Sequence, residues 1–225
     1  MAHVYKLYDL IYKKYVFFNF FITLGLDRYW RRICLKKIYS VTPKPRRVLD
    51  ICAGTGDMTM LLEKKFNSAE IYALDANKNM LSIAEKRLRR THLVNSQLSD
   101  MPFDDNFFDL IVISFATRNI FYNKDLNSSL REIKRVLKND GFFISLETTN
   151  YESSFMNFFM NIYISTMIGI VNFFNPNYRE AYMFLKSSSL RFNAMVFADR
   201  LKNFFSDVCC VKLFPGCVSI HISKK

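Results

Sequence analysis

Between residues 46 and 148, short apolar runs of strand length alternate with stretches of helical periodicity, and this alternation constrains the chain more than any other feature. Residues 46–52, 70–75, 93–96, 109–115 and 142–148 read as strands. Helices are expected over 57–66, from Asn77 as a cap to about residue 90, and over 124–137. The run "DLIVISF" at 109–115 is apolar nearly throughout, as a parallel strand covered on both faces must be. A helix over 194–205 and two strands, 208–214 and 217–223, split at Pro215-Gly216, close the chain. Strands alternating with helices predict an α/β fold with a parallel sheet, here ending in an antiparallel hairpin.

Two segments stand outside the alternation. Residues 1–45 are apolar, punctuated by basic residues, and read as two or three helices ended by "TPKP" at 42–45. The first 47 residues hold eleven Lys or Arg against Asp9 and Asp27, a charge that suits nucleic acid or an anionic membrane. Residues 155–174 carry no charge, which is long enough for a membrane span. Asn157, Asn161, Ser165 and Asn172 form one polar stripe along them, which suits a lid, a dimer face or a membrane interface instead. Phe (23) and Tyr (12) supply more ring surface than a core of this size needs, which points to a large apolar ligand or a membrane. The five cysteines form no CxxC pair and the three histidines are scattered, so no metal site is expected, and the thiols fit a reducing compartment. The start has no uninterrupted apolar stretch of the signal-peptide kind.

"VLDICAGTGDM" (48–58) places a glycine turn between a strand and a helix, where backbone N–H groups converge on a ligand. No Lys-Ser/Thr follows, so it is not a nucleotide-triphosphate loop, and the third glycine of a dinucleotide fingerprint is Thr59. Asp75 ends the next strand about twenty residues on, a spacing that suits a carboxylate accepting from ribose hydroxyls. A nucleoside without pyrophosphate fits, S-adenosylmethionine among them. Its zwitterionic end could be held by backbone amides and Asp50.

"VLDICAGTGDMT" resembles the first motif of class I S-adenosylmethionine-dependent methyltransferases. More narrowly, "YKKYVFFNFFITLGLDRYWRR", "LDANKNMLSIAEKRL", "MPFDDNFFD", "ISFATRNI", "REIKRVLKNDG", "EAYMFLKSS" and "GCVSIHISKK" are similar, in order, to stretches of the ubiquinone/menaquinone biosynthesis C-methyltransferases. The resemblance covers nearly the whole chain. It implies a single domain over 1–225 with a seven-stranded, mostly parallel, doubly wound Rossmann-like sheet, an N-terminal helical cap (1–45) and a helical lid over 150–192 after the fifth strand. It implies cofactor contacts at Gly54, Thr55, Gly56, Asp75, Ala76, Asn77, Met80 and Ser114, with Gln97 and Leu98 at the adenine. Arg118, Asn119 and Tyr15 would face the substrate, a polyprenylated quinol methylated on a ring carbon. Tyr15-Val16, Gln97-Leu98 and Asn139-Asp140-Gly141 depart from the family's Tyr-Asp, Asp-Ala and Pro-Gly-Gly.

The chemistry needs a phenolate whose charge reaches the ring carbon, a donor for that oxyanion, and a base. Arg118 is a poor base, because its pKa exceeds about 12. The expectation is that it stabilises the phenolate and orients a water, with Asn119 positioning the same oxygen; the alternative is that both merely cap a helix. Tyr15 either lines the pocket or packs the cap. His221 and Cys52 read as structural. The basic segment then has a membrane surface as its expected partner, on the cytoplasmic or mitochondrial-matrix side, with a homodimer compatible and nucleic acid not expected. The rival readings are a methyltransferase of another substrate, nucleic acid included, and a degenerate cofactor-binding scaffold.

Overall fold

In a computed structural model of the chain, residues 9, 11, 12, 14–121, 126–151 and 153–225 are described. The apolar runs become the strands of one seven-stranded sheet: β1 (Arg47–Ile51), β2 (Glu70–Asp75), β3 (Thr91–Asn95), β4 (Phe108–Ser114), β5 (Leu137–Thr148), β6 (Asp207–Leu213) and β7 (Val218–Lys224). Their order is β3-β2-β1-β4-β5-β7-β6. The first five are parallel, and β7 runs antiparallel between β5 and β6. Chain order reverses between β1 and β4, so their carboxyl ends open a crevice there, the place where such sheets bind ligands.

The helices are α1 (Tyr15–Thr23), α2 (Leu26–Val41), α3 (Asp57–Lys65), α4 (Lys78–Arg87), α5 (Thr117–Phe121), α6 (Leu126–Val136), α7 (Ser154–Phe174), α8 (Arg179–Arg191) and α9 (Ala194–Lys202). Asn77 caps α4 through its side-chain oxygen, which accepts from Met80 N, and Ser153 and Asn193 do the same for α7 and α9. Alternate residues of the central strands enter opposite cores. Leu49, Ile111, Ile113 and Phe143 pack with Leu130 and Ile133 of α6 and Phe197 and Leu201 of α9. Val48, Leu110, Val112 and Ile144 pack with Met58 and Leu62 of α3 and with Trp30, Cys34 and Ile38 of α2.

This packing divides the segment read as a cap. α2 is a layer helix of the sheet, its Trp30, Cys34 and Ile38 fully enclosed, each large apolar side chain contributing about 1.5–3 kcal/mol. Only α1 leaves the sheet, joining α7 and α8 in a third cluster built on Phe18, Ile168, Val171 and Tyr182. Gly25 makes the corner between α1 and α2 at φ +76°, where an added Cβ would lie 2.7 Å from the Phe20 ring. "NDG" does not precede the fifth strand but lies within it: β5 starts at Leu137, and the pairing with β4 slips between Phe108↔Leu137 and Leu110↔Phe142. Asp140 takes a positive φ there.

Among the described residues, α7 is the one helix long and apolar enough to cross a membrane. The polar stripe has specific uses. Asn157 exchanges two 2.8 Å hydrogen bonds with the backbone of Tyr151, and Lys186 of α8 donates to Ser165. Tyr163 donates from its hydroxyl to the Ile22 carbonyl of α1 at 2.9 Å. α1, α7 and α8 therefore form one small helical layer above the carboxyl end of the sheet.

Candidate active site

Two cavities meet at that end. The smaller, of ≈ 100 Å³, lies at the ends of β1, β2 and β4. Gly54 N donates to Asp75 Oδ2 and Asn77 N to Asp75 Oδ1, both at 2.8 Å, so the acid predicted for a ribose is preoriented by backbone. Each carboxylate oxygen keeps a second lone pair for a ligand hydroxyl. Burial raises the Asp75 pKa above its ordinary value, opposed by those backbone N–H groups. A Cβ built at Gly54, φ +56°, meets none of the described residues within 4 Å, so among them the turn stands open on the ligand side. Arg87 donates to the Thr55 carbonyl and pairs with Asp57 at 2.6 Å, pinning the turn to α4. Burial works against the Asp57 charge, but Arg31 and Arg87 outweigh it and hold the carboxyl below its usual range. Above the cavity, Asp9 accepts from the side chains of Asn77 and Asn79, tying the N-terminal segment to the rim.

Of the residues predicted for the cofactor, Gly54, Thr55, Asp75, Ala76, Asn77, Met80, Leu98 and Ser114 line this cavity, and Asp50, Gly56 and Gln97 do not. Asp50 is sealed below the turn, accepting from Thr59 Oγ1 at 2.6 Å, and burial pushes it up to about 7. Gly56 closes the turn by donating to the Ala53 carbonyl. Gln97 is exposed, and the wall is made by its neighbours Ser96 and Leu98.

The larger cavity, of ≈ 370 Å³, lies between the α1–α2 corner, α7, α8 and the ends of β4 and β5. Leu24, Leu26, Met160, Ile164, Ile168 and Leu185 make it mainly apolar. Arg118 lines it, buried, with its guanidinium ion-paired to the fully enclosed Glu147. Glu147 also accepts from Arg118 N at 3.0 Å, and Arg118 Nε donates to Ser188 of α8. The next residue, Asn119, lines the smaller cavity instead, so the two predicted catalytic neighbours serve different cavities. The Tyr15 side chain lies outside the described residues.

Phe115 lines both cavities. It and Cys52, at the ends of β4 and β1, hold positive φ, a strain of roughly 1–2 kcal/mol each that the packing must offset. The Arg31 guanidinium lies 4.8 Å from the Phe115 ring centroid and pairs with Asp27 at 2.6 Å. Arg31 lines the smaller cavity and Asp27 the larger. Asp27, Arg31 and Glu147 were not singled out by sequence reasoning. Glu147 had a readable signal, an acid within an otherwise apolar strand end. Asp27 and Arg31 had the i, i+4 spacing of a helical ion pair within a stretch otherwise read only for its charge.

His221 is fully buried, its Nε2 2.9 Å from the Ala194 carbonyl, and burial drops its pKa to about 4. It lines neither cavity. Cys52 borders the smaller one, and burial pushes its thiol up, away from a nucleophilic thiolate.

The smaller cavity suits S-adenosylmethionine on its own donor set. Arg31 Nε is buried at the wall with no hydrogen-bond partner among the described residues, matching a carboxylate. Asp75 matches a ribose, and Leu74, Met80, Leu98 and Ile120 make apolar walls for an adenine. The strand order, the crevice and this donor set define a class I S-adenosylmethionine-dependent methyltransferase. Within that class the chain belongs to the ubiE/COQ5 methyltransferase family, whose profile matches residues 1–225. A demethylmenaquinone methyltransferase of Thermotoga maritima is 34% identical over 195 residues, 84% of this chain and 81% of that protein. The ubiquinone/menaquinone biosynthesis C-methyltransferase UbiE of Desulfotalea psychrophila is 31% identical over 221 residues, 96% of this chain and 87% of that protein. Among solved structures, an S-adenosylmethionine-dependent methyltransferase of Thermotoga maritima, described as a possible histamine N-methyltransferase, superposes with a TM-score of 0.62 over 100% of both chains at 18% identity, a likeness of fold.

Proposed function

We propose that this methyltransferase acts on a ring carbon of a polyprenylated quinol, a demethylmenaquinol or ubiquinone precursor, at a membrane surface. The observation that carries the reading is the apolar cavity of ≈ 370 Å³ sharing the Phe115 wall with the cofactor cavity. A prenylated ring needs such walls; a charged nucleic-acid strand would need a basic, open groove. The names of the relatives from Thermotoga maritima and Desulfotalea psychrophila support the same substrate class.

S-adenosylmethionine supplies an electrophilic methyl group at the sulfonium. The chain's own residues do the rest. Asp75 and the 53–56 turn fix the cofactor's position, and Phe115 with the helical layer excludes water from the seam. Arg118, held by Glu147, presents positive charge in the larger cavity to the oxygen on which phenolate charge develops.

The outer surface of the same layer supports membrane contact. Phe17, Phe155, Phe158, Phe159, Phe173 and Phe174 are all exposed on α1 and α7. Arg28, Arg32, Lys36 and Lys37 are exposed on α2. Each cation near an anionic leaflet contributes about 1 kcal/mol. The site of action in this reading is the cytoplasmic face of a membrane, or the matrix face in a mitochondrion. Expression in cells lacking their quinone C-methyltransferase tests the reading: restored methylated quinone, identified by mass, supports it, and persistent demethylated quinone with soluble protein present overturns it.

A further inference from the structure

Methylation of a ring carbon requires a proton acceptor, and Arg118 does not serve, since a guanidinium stays protonated. Three other titratable groups lining the larger cavity are poor acceptors too. Burial raises the phenols of Tyr151 and Tyr163 and the thiol of Cys217, so all three keep their protons. Among the described residues lining that cavity, one carboxylate remains, Asp27.

Asp27 is buried in the first turn of α2. Its Oδ1 accepts from Thr23 Oγ1 at 3.0 Å and its Oδ2 from Arg31 Nη1 at 2.6 Å. A carboxylate has about four lone-pair sites, so these two bonds orient the group and leave capacity for a substrate hydroxyl. Its place is at the seam between the cavities: its partner Arg31 lines the cofactor side and lies over Phe115, the wall both cavities share. Arg31 also balances the charge, which an isolated buried carboxylate could not keep.

We infer that Asp27 is the general base of the reaction, taking the proton of the quinol hydroxyl adjacent to the methylated carbon. The inference rests on the quinol reading above. The O–H bond breaks toward an Asp27 oxygen, giving a carboxylic acid and a phenolate. The ring carbon forms a bond to the methyl group as the carbon–sulfur bond breaks, its electron pair staying on sulfur. The ring, now a dienone, loses the hydrogen of its methylated carbon to water. The Asp27 acid returns its proton to the ring oxygen, so the carboxylate is restored and one proton is released per turnover.

The test uses the full chain, S-adenosylhomocysteine as the binding probe and a short-tailed demethylmenaquinol as substrate. Asp27→Asn should bind S-adenosylhomocysteine within about threefold of the parent while kcat falls about 10²–10⁴-fold. Asp27→Ala should regain rate on addition of formate, in proportion to its concentration, because a small carboxylate can occupy the vacated space. An Asp27→Asn variant within threefold of the parent kcat overturns the assignment, as does an Asp27→Ala variant indifferent to formate. Loss of S-adenosylhomocysteine binding in both variants reduces Asp27 to a support for Arg31 and also overturns it. A parent protein inactive on every quinol offered overturns the substrate reading itself.

Discussion

The two cavities are built in opposite ways. The smaller cavity is made by strand ends and backbone: Asp75 is held by main-chain N–H groups, the turn is pinned by Arg87, and strain at Cys52 and Phe115 is locked by the sheet. The larger cavity is made mainly by side chains, from the α1–α2 corner, α7, α8 and the ends of β4 and β5, with Arg118 linking Glu147 of β5 to Ser188 of α8. Backbone-built sites tolerate little change in shape and recognise an invariant ligand. Side-chain-built sites can be retuned by substitution, which is where members of one fold acquire different substrates.

The largest effect is expected at Glu147. Glu147→Ala leaves the Arg118 guanidinium buried without its carboxylate and should cost about 3–5 kcal/mol of stability. Thermal unfolding should then show a fall of roughly 6–20 °C; a Tm within 2 °C of the parent would show that the pair does not tie the helical layer to the sheet. On the cofactor side, Asp75→Ala removes the ribose acceptor and should weaken S-adenosylhomocysteine binding about 100-fold by calorimetry, two charged hydrogen bonds being lost. Glu147→Gln, which keeps the shape, should leave that affinity nearly unchanged.

A third measurement separates the turn from what lies beneath it. Burial holds the folded pKa of Asp50 at about 7, above its ordinary value of 3.8. A raised folded pKa means that this group's contribution to stability is full below 3.8 and is lost as pH rises toward and through 7. Asp50→Asn removes the titration, so relative to the parent it should gain about 2 kcal/mol between pH 5 and pH 7, read by urea unfolding at each pH. A flat difference would mean that Asp50 stays solvated. The smallest effect is expected on the outside of the helical layer. Replacing Phe155, Phe158 and Phe159 together by Ser should weaken binding to anionic vesicles about tenfold in flotation, without changing S-adenosylhomocysteine affinity.

The backbone-built half was legible in the sequence because its signals are local. Apolar runs, a glycine turn, Asp75 at a strand end and the Asn77 cap all lie within a few residues of the structure they make. The side-chain-built half was not, because its partners are far apart in the chain. Arg118 meets Glu147 across 29 positions and Ser188 across 70. The division of labour between Arg118 and Asn119 depends on which side of a five-residue helix each residue occupies. Trp30, Cys34 and Ile38 had the spacing of a buried stripe, but the charges around them drew attention to the surface, and the helix belongs to the sheet.

The mouth of the larger cavity bears on which quinols one enzyme can serve. Leu24 and Leu26 line the cavity and are also 64% and 40% exposed. In the prenylated-quinol reading proposed above, the part of the tail that this space does not hold would leave past these two leucines. At a membrane surface, as proposed above, every added isoprene would be solvated by lipid both before and after binding and would add nothing to the difference between the two states. The enzyme would accordingly measure the head group and be blind to chain length, so a cell could change the length of its quinone tails without changing this protein.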